Sequence, residues 1–184
     1  MSADFSRLVS LACHDLRTPL ATVQGFAKTL LRQDETRDPA SRYLEIIDQA
    51  GDELIGLLDV LSVAARIEGG RYDPVLQKAD SLELARAAVP SATGEGAVVQ
   101  VDVEAVERSL AALARAASRH GGVEVSVEVA GREVSIAPVV PDAAPVVLGD
   151  DLKDLGAAVA VRLVRALGGQ VELAGERLVV SLPA

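Results

Sequence analysis

Two long stretches of helical apolar spacing limit what this chain can fold into more than any other feature. In residues 3–32 apolar side chains recur at intervals of three and four, and the same spacing returns between Pro39 and Glu68. Each stretch predicts an amphipathic helix. Two such helices cannot bury both apolar stripes against each other, so we expect a homodimer in which two hairpins form a four-helix bundle. The alternative is a hairpin that packs on the C-terminal half of its own chain.

The first helix carries a polar cluster on its wet face. His14, Asp15 and Thr18 lie off the apolar stripe, with His14 and Thr18 one turn apart. Pro19 follows and lacks the N–H that would bond the carbonyl of Asp15, so we expect a bend that costs about 3 kcal/mol. A costly feature in an otherwise good helix indicates a function. The alternative is an exposed histidine that happens to precede an acid.

Composition narrows the candidate partners and sites. The net charge is -9 with no basic cluster to offset it, so nucleic acid and anionic membranes are poor partner candidates. One cysteine, Cys13, and two histidines do not favour a metal site, and we expect Cys13 to be a half-buried filler. The sequence contains neither a run of about 18 apolar residues nor a signal-peptide pattern. We therefore expect a soluble, cytoplasmic protein.

The C-terminal half alternates helical and strand patterns, which predicts an α+β sandwich with helices on one face of a mostly antiparallel sheet. We divide the chain into a helical hairpin at residues 1–70, a linker at 71–79 and the sandwich at 80–184. The first half of the sandwich is predicted to contain a helix at 80–89, a turn-rich break at 91–96, a strand at 98–101 and a helix at 103–119 that ends beside His120. Strands at 123–129 and 133–137 follow, and then a proline-rich loop at 138–145. The chain closes with a helix at about 151–167 and a hairpin around Gly175.

The stretch His14–Leu20, with the sequence HDLRTPL, resembles the phosphoacceptor motif of sensor histidine kinases. The order of elements after residue 80 is similar to their ATP-binding domain, and residues 162–173 are close to that domain's end pattern. The resemblance implies that the first helix dimerises and that His14 carries a phosphoryl group.

Each stretch that would contact ATP departs from the family. The family's helix presents asparagines, one of which holds Mg²⁺, where this chain has Ala112 and Ala116, and a methyl group cannot coordinate that cation. The aspartate and glycines of the family's adenine box are missing from residues 137–141. The glycine-rich phosphate turn corresponds to residues 154–157, where Asp154 would repel a polyphosphate. We therefore expect no bound nucleotide cofactor.

This combination resembles histidine phosphotransferases of the ChpT type, which implies a relay of phosphoryl groups between the aspartates of response-regulator receiver domains. We expect His14 to accept the group, Asp15 to fix the imidazole tautomer, Thr18 to position a water for dephosphorylation and Arg17 to contact the partner. We expect Mg²⁺ to come from the receiver, since this chain has no metal site of its own. The alternatives are a sensor-type histidine kinase with a divergent ATP site and a non-catalytic scaffold that binds response regulators.

Overall fold

The computed structural model describes residues 3–32 and 40–184, and the chain divides into two compact units, Met1–Ser62 and Val63–Ala184. In the first unit, helix α1 (Ala3–Arg32) runs through Pro19 without interruption. Helix α2 (Ala40–Glu68) continues into the second unit and ends at Gly69 and Gly70, as the sequence predicts. The start predicted for this helix at Asp38 and Pro39 lies outside the described residues.

The hairpin keeps part of its apolar surface exposed. Ring contact between Phe26 and Tyr43, with centroids 5.3 Å apart, joins α1 to α2. Several larger aliphatic side chains are nevertheless open to solvent in the single chain: Leu20, Leu44, Ile55 and Leu58. A pair of amphipathic helices therefore leaves apolar faces that it does not bury by itself.

The second unit is an α/β sandwich, as predicted. A two-stranded antiparallel sheet joins β1 to β3, and a five-stranded sheet has the order β2-β4-β5-β7-β6, antiparallel except for the parallel pair β2 and β4. The elements are β1 (Leu76–Asp80), α3 (Ser81–Ala88), β2 (Thr93–Gly96), β3 (Val98–Asp102), α4 (Val103–Gly121), β4 (Ser126–Gly131), β5 (Glu133–Ala137), α5 (Ala144–Val147), α6 (Leu155–Ala166), β6 (Gln170–Ala174) and β7 (Arg177–Ser181).

The core lies between the sheet and helices α3, α4 and α6. Alternate residues of β4, β5 and β7 point toward it, and Val129, Val134 and Val180 are fully buried. Small and branched side chains fill this space because the chain has only two phenylalanines, two tyrosines and no tryptophan. The predicted alternation of the central strands is confirmed.

Two short strands were not predicted. Strand β1 lies in the stretch interpreted as a linker, and β2 lies in residues 91–96, interpreted as a turn-rich break. Neither strand shows the alternation of apolar and polar residues by which a strand is recognised. Strand β1 has the sequence Leu-Gln-Lys-Ala-Asp and is largely exposed, and β2 has the sequence Thr-Gly-Glu-Gly. A side chain at Gly94 would overlap the backbone carbonyl of Val129, so the close approach of β2 to β4 requires glycine there.

Capping residues set the helix bounds. The Asp102 carboxylate accepts a hydrogen bond from Ala105 N, which starts α4 where the sequence predicts. Gly122, with a φ of 63°, ends that helix two residues later than predicted. Helix α6 starts at Leu155 and not near Asp151, because Asp154 is its N-cap. The single turn α5 begins at Ala144, inside the predicted proline-rich loop, and extends past it to Val147.

Candidate functional site

Helix α1 presents His14 to solvent. The imidazole is 77% exposed, and its Nδ1 lies 3.2 Å from Oδ1 of Asp15, whose side chain is 28% exposed. The two residues are neighbours on one helix, so the backbone of α1 alone holds this pair together. The predicted contact partner of His14 is thus in place, on an open surface.

The pairing with Asp15 determines which ring nitrogen of His14 is available. An ionised carboxylate only accepts hydrogen bonds, so we assign the proton to Nδ1, which donates to Asp15. The lone pair of the neutral ring then lies on Nε2, at the far side of an exposed imidazole. This is the arrangement of a nucleophile that an incoming molecule can reach.

Thr18 and Arg17 line a shallow groove that runs along α1 from this position. Both side chains are exposed, and the groove encloses about 740 Å³. The remaining lining side chains are small or aromatic: Ala21, Thr22, Gly25, Phe26 and Thr29. The hydroxyl of Thr22 donates to the carbonyl of Thr18, while no hydrogen bond occupies the hydroxyl of Thr18 within the described residues. Cys13, expected to be half-buried, is exposed, so that interpretation was wrong.

Helix α4 has no polar side chain at the two positions where the family resemblance implies asparagine. Ala116 is buried in the core, and Ala112 lies half-buried beside the start of α6. A methyl group added at Gly156 would be 3.6 Å from the Cβ of Ala112, so the two helices are in close contact there. The structure places no oxygen ligand on this part of α4.

The N-terminus of α6 is occupied by a side chain of the protein itself. Oδ1 of Asp154 accepts a hydrogen bond of 2.9 Å from Ala157 N. Oδ2 of the same carboxylate lies 3.3 Å from Nε2 of His120 and 3.9 Å from Nη1 of Arg119. Asp154 is 14% exposed and His120 is 23% exposed. The sequence pattern places His120 only at the end of a helix and does not predict this contact, which links α4 to α6 across 34 residues.

The loop that corresponds to the family's adenine box is used for structure. Val139 is buried, and its N–H donates to the carbonyl of Glu176 at 2.7 Å. Pro138 and Pro141 have no N–H to donate. Residues 137–141 therefore offer a ligand neither a carboxylate nor the two glycines of that box.

The described part of the chain holds neither a metal cluster nor a membrane-spanning helix. Within the described part of the chain, no group of three or more His, Cys, Asp or Glu side chains is placed to hold a metal ion. None of the described helices combines the length and apolar character needed to cross a bilayer.

Comparison with known proteins identifies the type of domain. Residues 6–70 match the family model of the His Kinase A (phospho-acceptor) domain. An uncharacterized sensor-like histidine kinase of Rhizobium meliloti (strain 1021) is 30% identical over 79 residues, which are 39% of this chain and 14% of the relative. The chain therefore spans only a small part of that relative's length.

Solved structures share the fold at low identity. The Acinetobacter baumannii histidine kinase AdeS superposes with a TM-score of 0.68 and 17% identity, covering 92% of this chain and 97% of that one. Full-length ShkA, solved in complex with AMPPNP, gives a TM-score of 0.55 and 22% identity over 95% of this chain and 44% of its own. A bacterial phosphotransferase gives a TM-score of 0.50 and 16% identity, with 98% and 97% covered.

These findings confirm the resemblance at the level of the fold and the domain type. The chain is histidine kinase-like: it combines a phosphoacceptor-type helical hairpin with a sheet domain of the fold seen in histidine kinases. Domains of this type act in two-component signalling.

Proposed function

We propose that this chain is a histidine phosphotransferase that relays phosphoryl groups between response-regulator aspartates without using ATP. The observation that carries the proposal is a contrast between the two parts of the chain. His14 presents an exposed imidazole, whereas the sheet domain has alanines where the family resemblance implies residues that bind ATP and Mg²⁺. A relay needs the imidazole and does not need an ATP site.

The transfer step uses the free Nε2 of His14. This nitrogen attacks the phosphorus of a receiver's aspartyl phosphate in line, a P–N bond forms, and the bond between phosphorus and the aspartyl oxygen breaks. The receiver's aspartate leaves as a carboxylate, and the product is a phosphoimidazolium that keeps its proton on Nδ1. Attack from the other direction, by the aspartate of a second receiver, reverses the same bonds.

Asp15 supports this step electrostatically. Its carboxylate lies 3.2 Å from Nδ1 and stabilises the positive charge that develops on the ring. Thr18, one turn further along α1, offers its hydroxyl to a water that hydrolyses the phosphohistidine. Arg17 contacts the phosphorylated partner. Mg²⁺ comes from the receiver, since the described residues include no group suited to a metal ion.

The sheet domain binds no triphosphate in this proposal. Buried Ala116 and half-buried Ala112 supply no oxygen to a cation, and the carboxylate of Asp154 takes the position at the start of α6 that an anion would prefer. A phosphate that approached this helix end would have to displace Asp154 from Ala157 N, His120 and Arg119.

The working form is a homodimer. The exposed aliphatic side chains of the hairpin form an apolar surface that a second copy would cover in a four-helix bundle: Leu20, Leu44, Ile55 and Leu58. A monomer in light scattering at micromolar concentration would contradict this part of the proposal.

Transfer of label from a receiver tests the function. Purified receiver domains are phosphorylated with ³²P and mixed with wild-type protein and with the His14→Gln variant. We expect acid-labile, alkali-stable label on the wild type only. Label acquired from ATP with Mg²⁺, in the absence of any receiver, would instead show an active kinase, and binding to receivers without His14-dependent label would show a scaffold.

A further inference from the structure

Strand β6 is an open edge of the five-stranded sheet. It pairs with β7 on one side, and on its other side no backbone hydrogen bond reaches it from the described residues. The pairing with β7 is continuous from Gln170 to Ala174, without a bulge. The strand also has neither proline nor lysine, the residues that commonly protect a sheet edge. Alternate residues of β6 therefore present free N–H and C=O groups to another strand.

An apolar groove lies beside this edge. It encloses about 400 Å³ between the end of β6, the turn that follows it and the segment around α5. Leu173 is two residues from buried Val171, so both side chains point to the same face of the sheet, yet Leu173 is 37% exposed. The groove is completed by apolar residues from outside β6: Val139, Pro141, Ala144, Pro145 and Leu148. A strand added to β6 would place every second side chain on the face that holds this groove.

The lining of the groove does not favour a nucleotide. It includes no residue of α4 and none of residues 154–157, the positions that the family resemblance assigns to Mg²⁺ and phosphate. It does include Val139 and Pro141 from the stretch that corresponds to the adenine box, but residues 137–141 have no carboxylate. A groove beside a free strand edge favours an extended peptide instead.

Unpaired carboxylates surround the groove and the edge. Asp150 and Glu176 line the groove, and its lining includes no cation. Glu172 lies in β6 between Val171 and Leu173, so its exposed side chain points to the opposite face of the sheet. None of the three carboxylates forms an ion pair among the described residues. A strand with apolar side chains on one face and cations on the other would complement this edge.

A second copy of this chain is a poor occupant of the edge. If two β6 strands paired antiparallel about their centres, the two Glu172 side chains would lie opposite each other. Like charges directly opposite in a sheet are destabilising. The net charge of -9 adds a general repulsion between copies. The strand that fits here must therefore bring positive charge.

We propose that β6 and the groove beside it bind an extended segment of another protein in which apolar residues alternate with lysine or arginine. The segment adds to the sheet beside β6, its apolar side chains cover Leu173 and the groove, and its cations face Glu172. Hydrogen bonds between the two backbones supply affinity, and the alternate side chains supply specificity. This interaction goes beyond the proposed relay and does not involve His14.

Binding of a synthetic peptide tests this inference. The full chain is titrated into a fluorescein-labelled peptide of alternating lysine and valine, and fluorescence anisotropy gives Kd for the wild type, Glu172→Lys and Glu95→Lys. Glu95 is the matched control, an exposed glutamate on β2 at the opposite edge of the same sheet. We expect Glu172→Lys to weaken binding about tenfold at low salt and Glu95→Lys to match the wild type.

Methylation of the peptide backbone separates strand addition from charge attraction. In an added strand, the N–H groups of one alternate set of residues point toward β6 and those of the other set point away. Two further peptides, methylated on the backbone nitrogens of all lysines or of all valines, keep the same charge. We expect one of them to lose at least about 30-fold in affinity and the other to bind nearly as tightly as the unmodified peptide.

Four outcomes would overturn the inference. The first is the absence of saturable binding to the wild type. The second is equal binding of the two methylated peptides, which would exclude strand addition. The third is an equal loss in Glu172→Lys and Glu95→Lys, which would show attraction by net charge alone. The fourth is a change of oligomeric state in Glu172→Lys by light scattering, which would identify a second copy as the occupant. Far-ultraviolet circular dichroism checks that both variants keep the fold.

Discussion

The molecule contains two histidine–aspartate pairs of nearly equal length in very different settings. On α1, Nδ1 of His14 lies 3.2 Å from Asp15, and the imidazole is 77% exposed. In the sheet domain, Nε2 of His120 lies 3.3 Å from Asp154, and both side chains are mostly covered. The first pair leaves Nε2 open to solvent, whereas in the second pair Nε2 is the atom in contact.

The same two residue types have different roles in the two pairs, because the two carboxylates differ in their other contacts. Asp15 contacts the ring of His14, so its carboxylate can respond to charge on that ring. Asp154 contacts Ala157 N and Arg119 in addition to His120, so three contacts hold its carboxylate in place. A reactive pair needs one free nitrogen, and a structural pair needs none.

The largest expected effect separates the two histidines. His14→Gln removes the proposed nucleophile, so we expect acceptance of a phosphoryl group from a receiver to fall by at least about 1,000-fold, to background. His120→Gln should keep full transfer, because His120 lies outside the hairpin to which we assign the reaction. Quantified ³²P label on the protein measures both. Equal losses for the two variants would contradict the distinction between the pairs.

A smaller but still large effect is expected at Asp15. Asp15→Asn keeps an acceptor for Nδ1 and removes the negative charge, so we expect the transfer rate to fall by about 100-fold with little change in KM. Rapid-quench kinetics with a phosphorylated receiver give both constants. The control is Asp15→Glu, which retains the charge and should recover part of the rate. An unchanged rate in Asp15→Asn would mean that the 3.2 Å contact has no role in transfer.

For the free energy of unfolding we expect Asp154 to matter more than Asp15. Asp154→Ala removes a helix cap and the contact with His120, so we expect the free energy of unfolding to fall by about 1–2 kcal/mol. Asp15→Ala should change it by less than about 0.5 kcal/mol, since its contact is on an exposed helix surface. Urea denaturation followed by circular dichroism measures both. Asp154→Ser keeps a capping oxygen and should lose about half as much as alanine.

The smallest effect is expected when the phenol of Tyr72 is removed. Its partner, Asp102, caps a helix as Asp154 does but contacts a phenol instead of an imidazole. Asp102 caps α4, and Tyr72 Oη lies 3.5 Å from its second oxygen. Burial, followed by the charge of Asp102 and the hydrogen bond to it, raises the pKa of Tyr72 to about 12. We expect Tyr72→Phe to cost less than about 0.5 kcal/mol, because this bond is long.

The same tyrosine gives a pH dependence with a defined sign. A pKa raised above the usual value of 10 means that the folded protein holds the phenolic proton more tightly than the unfolded chain does. The stabilisation is therefore complete below pH 10 and is lost between pH 10 and about 12. Absorbance of the tyrosinate ion, compared between the wild type and Tyr72→Phe, measures this titration. Ionisation of Tyr72 near pH 10 would contradict it.

The sequence was informative where local chemistry decides the structure. The bounds of α1, the start of α4 at Val103 and the apolar alternation of β4 and β5 follow from residue spacing, and all are confirmed. The position of His14 on an exposed helix face follows from the same periodicity, since it lies off the apolar stripe.

Features that depend on distant contacts were missed. Strand β1 forms because β3 supplies hydrogen bonds, and nothing in its own residues marks it as a strand. The pair of His120 and Asp154 joins residues 34 apart, so neither neighbourhood predicts the other.

The short strand β2 has a consequence for how the protein behaves in concentrated solution. It closes one side of the five-stranded sheet, and Gly94 is there because a side chain would overlap the carbonyl of Val129. Exchange of that glycine for alanine would lift β2 away and uncover the backbone of β4, a ready template for strands of other molecules. Such a variant should form aggregates when it is overproduced, although the change leaves the sequence of α1 around His14 untouched.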